Sequence, residues 1–155
     1  MTGLHYEDFE EGRVYRHALS RTVTEADNIL FSNMTLNPQP LHIDRHFAER
    51  HTEWGKPLVN SMFTLALLVG ISVNDLTIGT TVGNLGMKET RFPHPLFPGD
   101  TVYASTRVLA KRESRSRGDV GLVELEHTAT NQDGVVVAVT VRTAMMKRRH
   151  PRAQA

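Results

Sequence analysis

The chain has 155 residues, 39% of them hydrophobic, and 18 lysines and arginines against 17 aspartates and glutamates leave a net charge of +1. That length holds one domain with a real core, and the charge balance makes no general case for a nucleic-acid or membrane-surface partner. Cysteine is absent, which excludes disulfides and thiol catalysis.

In chain order, the opening "MTGLHYEDFEEG" is acidic and has no apolar core of the kind a signal peptide needs, so none is expected. A first strand is expected over about 16–22. The stretch "TVTEADNILFSNMT" then predicts a helix over 22–35. Thr22 with Glu25 has capping-box spacing, and Thr24 with Asp27 is a second, weaker version. Ala26, Ile29, Leu30 and Asn33 fall near one face of that helix.

"TLNPQPLHID" follows. Its two prolines predict an extended, rigid loop over 35–41. "DRHFAERH" predicts a short helix capped by Asp44. "NSMFTLALLVGISVNDL" is apolar all the way round, and such a helix must be surrounded on every face. Its longest apolar run is about half a membrane span, so the expectation is a soluble, cytoplasmic protein.

The C-terminal half supplies four strands: "TVGNLGMKETRF", "DTVYASTRVLAKRES", "VGLVELEHTATNQ" and "VVVAVTVRTAMMKR". The third alternates Val123, Leu125, His127 and Ala129 against Leu122, Glu124, Glu126 and Thr128. "NQDG" reads as the hairpin turn before the last strand. Long antiparallel strands around one apolar helix predict a single α+β domain over 1–155, a curved antiparallel sheet wrapped around that helix. Residues 148–155 read as a basic, flexible tail.

Three motifs in order resemble the MaoC-like family of hot-dog folds, which includes (R)-specific enoyl-CoA hydratases. They are Asn37-Pro38-Gln39-Pro40-Leu41-His42-Ile43-Asp44, the run Gly55-Lys56-Pro57-Leu58-Val59-Asn60-Ser61-Met62, and Phe92-Pro93-His94-Pro95-Leu96-Phe97-Pro98-Gly99-Asp100-Thr101. The resemblance implies the hot-dog fold, an acyl-CoA thioester substrate and a homodimer or higher homo-oligomer. It implies no cofactor beyond the coenzyme A of the substrate. In the family a loop Asp and His form the catalytic pair, and a backbone N–H at the start of the central helix polarises the thioester carbonyl. His42 matches the histidine, and Ser61 stands where the family usually has Gly. Asn37 replaces the catalytic Asp, and asparagine has no protonation change with which to act as a base. The run "MTLNPQPLH" is similar to hydratases of branched dicarboxylic acyl-CoAs such as mesaconyl-CoA and itaconyl-CoA.

Hydration of an enoyl thioester needs a group to deprotonate water, a proton for the α-carbon and a stabilised oxyanion. Histidine does proton work near neutral pH, and helix N-terminal amides stabilise the oxyanion. His42 is therefore either the acid–base residue or a loop histidine satisfying backbone carbonyls. Asn37 either orients water or imidazole or forms a turn before Pro38. Asp44 reads as a cap rather than a base. Arg91 could meet a substrate carboxylate, and His94 could line the substrate channel. Lys56 and the cluster that includes Arg115 and Arg117 suit CoA phosphates or a solvated turn. No metal is expected, because no metal-ligand motif is present.

Two further readings stay open. A hot-dog thioesterase would want a carboxylate on the central helix, whose first is Asp75 at its far end. A non-catalytic acyl-CoA-binding protein would explain Asn37.

Overall fold

The computed structural model describes residues 2–151. The strands β1 (Val14–Thr22), β2 (Thr81–Arg91), β3 (Thr101–Glu113), β4 (Val120–Thr130) and β5 (Val136–Lys147) form one sheet in the order β1-β3-β4-β5-β2. Every neighbouring pair is antiparallel. Four helices, α1 (Glu25–Met34), α2 (Pro40–Ile43), α3 (Arg45–His51) and α4 (Ser61–Leu76), lie between β1 and β2. Helix α4 packs on β1, β3, β4 and β5. This is the expected α+β arrangement of a curved sheet on a central helix.

The β4 alternation places Val123, Leu125, His127 and Ala129 in the interior. Two apolar clusters cover the helix-facing side of the sheet. One gathers Leu68 and Ile71 of α4 with Val23, Val102 and Ala129. The other gathers Phe9, Val108, Leu125 and Met146. Each fully buried side chain of this size stabilises the fold by roughly 1.5–3 kcal/mol. The β4–β5 hairpin is held as its sequence predicts: Asn131 Oδ1 accepts from Asp133 N–H and Val135 N–H, both at 3.0 Å, and Gly134 supplies φ +75°.

Four expectations are corrected. The cap of α1 is Thr24 with Asp27, each side chain bonding the other's backbone N–H. Thr22 is still in β1, where its hydroxyl meets Thr101 Oγ1 at 2.7 Å, and Glu25 pairs instead with Arg45. The predicted face of α1 is also wrong. Asn28 and Ser32 are fully buried while Leu30 is 61% exposed, because α1 docks through the hydrogen bonds of Asn28 and the edge-on contact of Phe31 with Phe63 of α4.

The proline segment is not extended throughout. Pro40 opens the single turn α2, since proline is tolerated in a first helical turn, where its missing N–H has no intrahelical partner to lose. Finally, α4 is buried on one face only. Thr64, Leu68, Ile71, Ser72 and Leu76 are covered, whereas Met62 is half exposed. A single sheet covers one side of a helix.

Asp44 caps α3 as expected, accepting from Phe47 N–H at 2.9 Å. Of the basic C-terminal stretch, Arg148 pairs with Glu7 and Glu113, and Arg149 pairs with Asp8; 152–155 lie outside the described residues.

Candidate active site

The end of α1 sets the site's geometry. The chain leaves that helix through a Schellman motif, with Leu36 N–H bonding Asn33 O and Asn37 N–H bonding Ser32 O. Leu36 takes the left-handed conformation there, φ +55°, at a cost of about 1 kcal/mol for a residue with a Cβ. Asn37 Oδ1 then accepts from Gln39 N–H at 3.1 Å. Asn37 is thus a turn former, and its amide nitrogen has no partner among the described residues.

His42 follows in α2. Its Nδ1 lies 2.8 Å from the carbonyl oxygen of Leu58. A carbonyl only accepts, so Nδ1 carries the proton and donates, which leaves Nε2 as the outward-working nitrogen. The group that orients His42 is therefore a backbone carbonyl and not Asn37.

Asn28 holds that carbonyl in place, and sequence reasoning passed over it. From its buried position on α1, Asn28 Nδ2 donates to His42 O at 2.9 Å and to Leu58 O at 3.0 Å. Its Oδ1 accepts from Asn60 N–H at 2.8 Å. One amide side chain thereby ties α1, α2 and the start of α4 together. The available signal was the polar i, i+4 pair Asn28 and Ser32, which flanks Ile29, Leu30 and Phe31 on α1.

Asn60 is the N-cap of α4, its Oδ1 accepting from Met62 N–H at 3.0 Å, and Thr64 N–H bonds Asn60 O. Ser61 N–H and Phe63 N–H have no partner among the described residues. They stand at the positive end of a 16-residue helix, where backbone amides attract developing negative charge.

Ser61 and His94 line one cleft of about 540 Å³ with Trp54, Leu58 and Val137. His42 lines a neighbouring hollow of about 260 Å³ with Asn28, Arg45 and Pro57. The segment 57–61 lines both, Pro57 the second and Leu58, Val59 and Ser61 the first. His94 Nδ1 lies 3.0 Å from Val136 O. Lys56 Nζ sits 4.0 Å over the Phe97 ring, which packs beside Trp54 on the cleft wall. Arg91 is exposed, next to the cleft-lining Phe92.

Arg115 and Arg117 are not brought to this site. They lie beyond the far end of β3, up to roughly 40 Å of strand away from Thr101 at about 3.3 Å per residue. Arg117 pairs with Asp119 there, which raises the guanidinium's pKa and lowers the carboxylate's. Asp75, the carboxylate on α4, is engaged by His17 at 2.9 Å. Among the described residues no cluster of three potential metal ligands exists, and no helix is long and apolar enough to cross a membrane.

Residues 8–131 match the family described as a MaoC like domain. The chain is 29% identical over 153 residues to the β-methylmalyl-CoA dehydratase of Chloroflexus aurantiacus, covering 99% of this chain and 43% of that protein. It is 31% identical over 153 residues to the mesaconyl-CoA hydratase of Cereibacter sphaeroides, covering 99% and 44%. The chain therefore spans under half the length of these curated relatives. A solved Mycobacterium tuberculosis protein described as a double hotdog fold superimposes with a TM-score of 0.85. That match covers 99% of this chain and 47% of the other at 22% identity, and at that identity it speaks to the fold alone.

Proposed function

Since the chain belongs to the MaoC-like domain family, we propose that it is a hydro-lyase that adds water to, or removes it from, the 2,3 bond of an enoyl-CoA. The observation that carries this reading is the His42–Leu58 hydrogen bond, which fixes the tautomer and leaves Nε2 to move a proton. In the proposed mechanism His42 takes a proton from water as its oxygen bonds to the β-carbon. The His42 imidazolium then returns that proton to the α-carbon, which regenerates the neutral ring, and Ser61 N–H stabilises the oxyanion on the thioester oxygen in between. Asn37, through its unpartnered amide nitrogen, holds the water.

The names of the curated relatives support a branched or dicarboxylic acyl group of the mesaconyl or itaconyl kind. Lys56, Arg91 and His94 would meet substrate at the cleft. Arg115 and Arg117 could serve CoA phosphates only if a second copy brought them to the site. A homodimer or higher oligomer is supported by the exposed edge strand β2, with Val82 at 41% and Leu85 at 53% exposure. We place the protein in the cytoplasm, with no cofactor besides substrate CoA. The thioesterase reading is disfavoured because Asp75 is occupied by His17 at the end of α4 away from Ser61.

The test is turnover of crotonyl-, mesaconyl-, itaconyl- and a longer 2-enoyl-CoA, read as addition of one water by mass. Hydration of any member supports the reading. CoA-ester binding without turnover would favour the non-catalytic alternative and make Asn37 its explanation. Asn37→Asp separates the two further, because an aspartate oxygen can still accept from Gln39 N–H. We expect roughly tenfold lower activity with an unchanged fold; a gain in activity would mark a decayed site.

A further inference from the structure

The Ser61 cleft has a floor and a rim of different character. Val59, Thr64, Leu96 and Val137 form the floor, and each is at most 3% exposed. Val59 N–H donates to Leu96 O at 2.9 Å, which ties the two lining segments together beneath the cleft. No carboxylate, lysine or arginine lines it. A hollow with such walls takes hydrocarbon, because methylenes gain by leaving water and nothing in the floor asks for a charge.

The rim is Pro93 and His94 on one side and Trp54 on the other. The first side is fixed. Prolines flank His94, and its Nδ1 donates to Val136 O at 3.0 Å. Trp54 reaches the cleft from the end of α3. Thr52 Oγ1 donates back to Ala48 O at 2.6 Å there, and Gly55 turns the chain toward Pro57 with a φ of +62°, a conformation that favours glycine. The indole leans on the Phe97 ring, 6.2 Å between centroids, and Lys56 Nζ sits over that same ring. Phe97 therefore backs the indole from behind. Its cleft side has no such cover, and Trp54 remains 37% exposed. Indoles carry a large apolar area and are rarely left without a contact for it.

We infer that Trp54 is a specificity-determining residue: its indole closes over the hydrocarbon part of an acyl group lying on Val59, Leu96 and Val137, and so sets how much affinity each added carbon contributes. That this acyl group belongs to a thioester presented to Ser61 N–H rests on the hydratase reading above. Trp54 is also the chain's single tryptophan, so its emission reports on this contact alone.

The test is binding of propionyl-, butyryl-, hexanoyl- and octanoyl-CoA to the full chain, followed by calorimetry and by tryptophan emission, with free CoA as the control. These thioesters are saturated and cannot be hydrated, so turnover does not enter. Each methylene that reaches the cleft should tighten binding by about fourfold. The emission should move to shorter wavelength in step with occupancy, as the indole leaves water, and free CoA should leave it unmoved. Trp54→Ala should cut the gain to under about twofold per methylene, and Trp54→Phe should restore most of it. The wild-type emission carries the test alone if the Ala variant does not fold. No binding by any member, an unmoved emission at calorimetric saturation with octanoyl-CoA, an equal shift with free CoA, or an undiminished gain per methylene in Trp54→Ala would each overturn the inference. A shift that grows with chain length in a protein that hydrates no enoyl-CoA leaves this inference standing and removes the hydratase reading. Hydration with a silent tryptophan does the reverse.

Discussion

Two histidines in this chain are each held at Nδ1, and their surroundings give them opposite uses. His42 sits half-buried on α2, donates to the Leu58 carbonyl and presents Nε2 to a hollow. His127 is fully buried on β4, is held by the Thr106 hydroxyl, and has its pKa pushed to about 3. A carbonyl partner fixes a tautomer and leaves the second nitrogen available. Complete burial beside a cation keeps the other ring neutral. The comparison teaches that desolvation and a neighbouring cation, not residue type, take His127 out of proton exchange at neutral pH.

The comparison breaks most sharply at His42. His42→Ala should lower kcat on the preferred enoyl-CoA by about a thousandfold, with little change in the thermal midpoint. A loss of similar size from His127→Gln with folding intact would reverse the assignment. Asn28→Leu comes next. It strips partners from two carbonyls and one N–H at the base of the His42 site, so urea unfolding should report about 3 kcal/mol less stability. Activity should fall with it even in the fraction that remains folded.

A pH titration of stability sharpens the His127 side. The unfolded histidine takes a proton near pH 6.5, whereas the folded one resists until about 3. Folding stability attributable to His127 is therefore complete above pH 6.5 and is lost as pH falls through that window, by up to about 1.4 kcal/mol per pH unit. Denaturant midpoints of wild type and His127→Gln between pH 6.5 and 4 should converge as pH falls. Parallel curves would contradict the burial argument. The smallest effect belongs to Leu36, which is 89% exposed and left-handed. Leu36→Gly should stabilise the chain by about 1 kcal/mol in the same measurement.

What the sequence disclosed followed from patterns that local physics enforces. The β4 alternation, the Asp-Gly hairpin and the Asp44 cap each depend on residues within a few positions, and each formed as read. The apolar run of α4 disclosed a helix but not how much of it one sheet would cover. The α1 face was misread because its docking surface is centred on the hydrogen bonds of buried Asn28, with Phe31 beside it, and periodicity counts apolar side chains only. His42 was legible from its motif. Its orienter was not, because the oxygen belongs to the backbone of Leu58, 16 positions away. The burial of Arg142, the cation beside His127, was hidden for a different reason: in "VVVAVTVRTAMMKR" nothing marks which face of β5 turns inward, so a buried and an exposed arginine read alike.

The central claim is that His42 moves the proton of the hydration step. The direct measurement is hydration of the preferred enoyl-CoA in D2O by wild type and His42→Ala, with deuterium at the α-carbon read by mass spectrometry. Wild type should form hydrated product carrying one deuterium at that carbon, and the variant should form none above the uncatalysed background. Equal rates of deuterated product from both proteins would contradict the account.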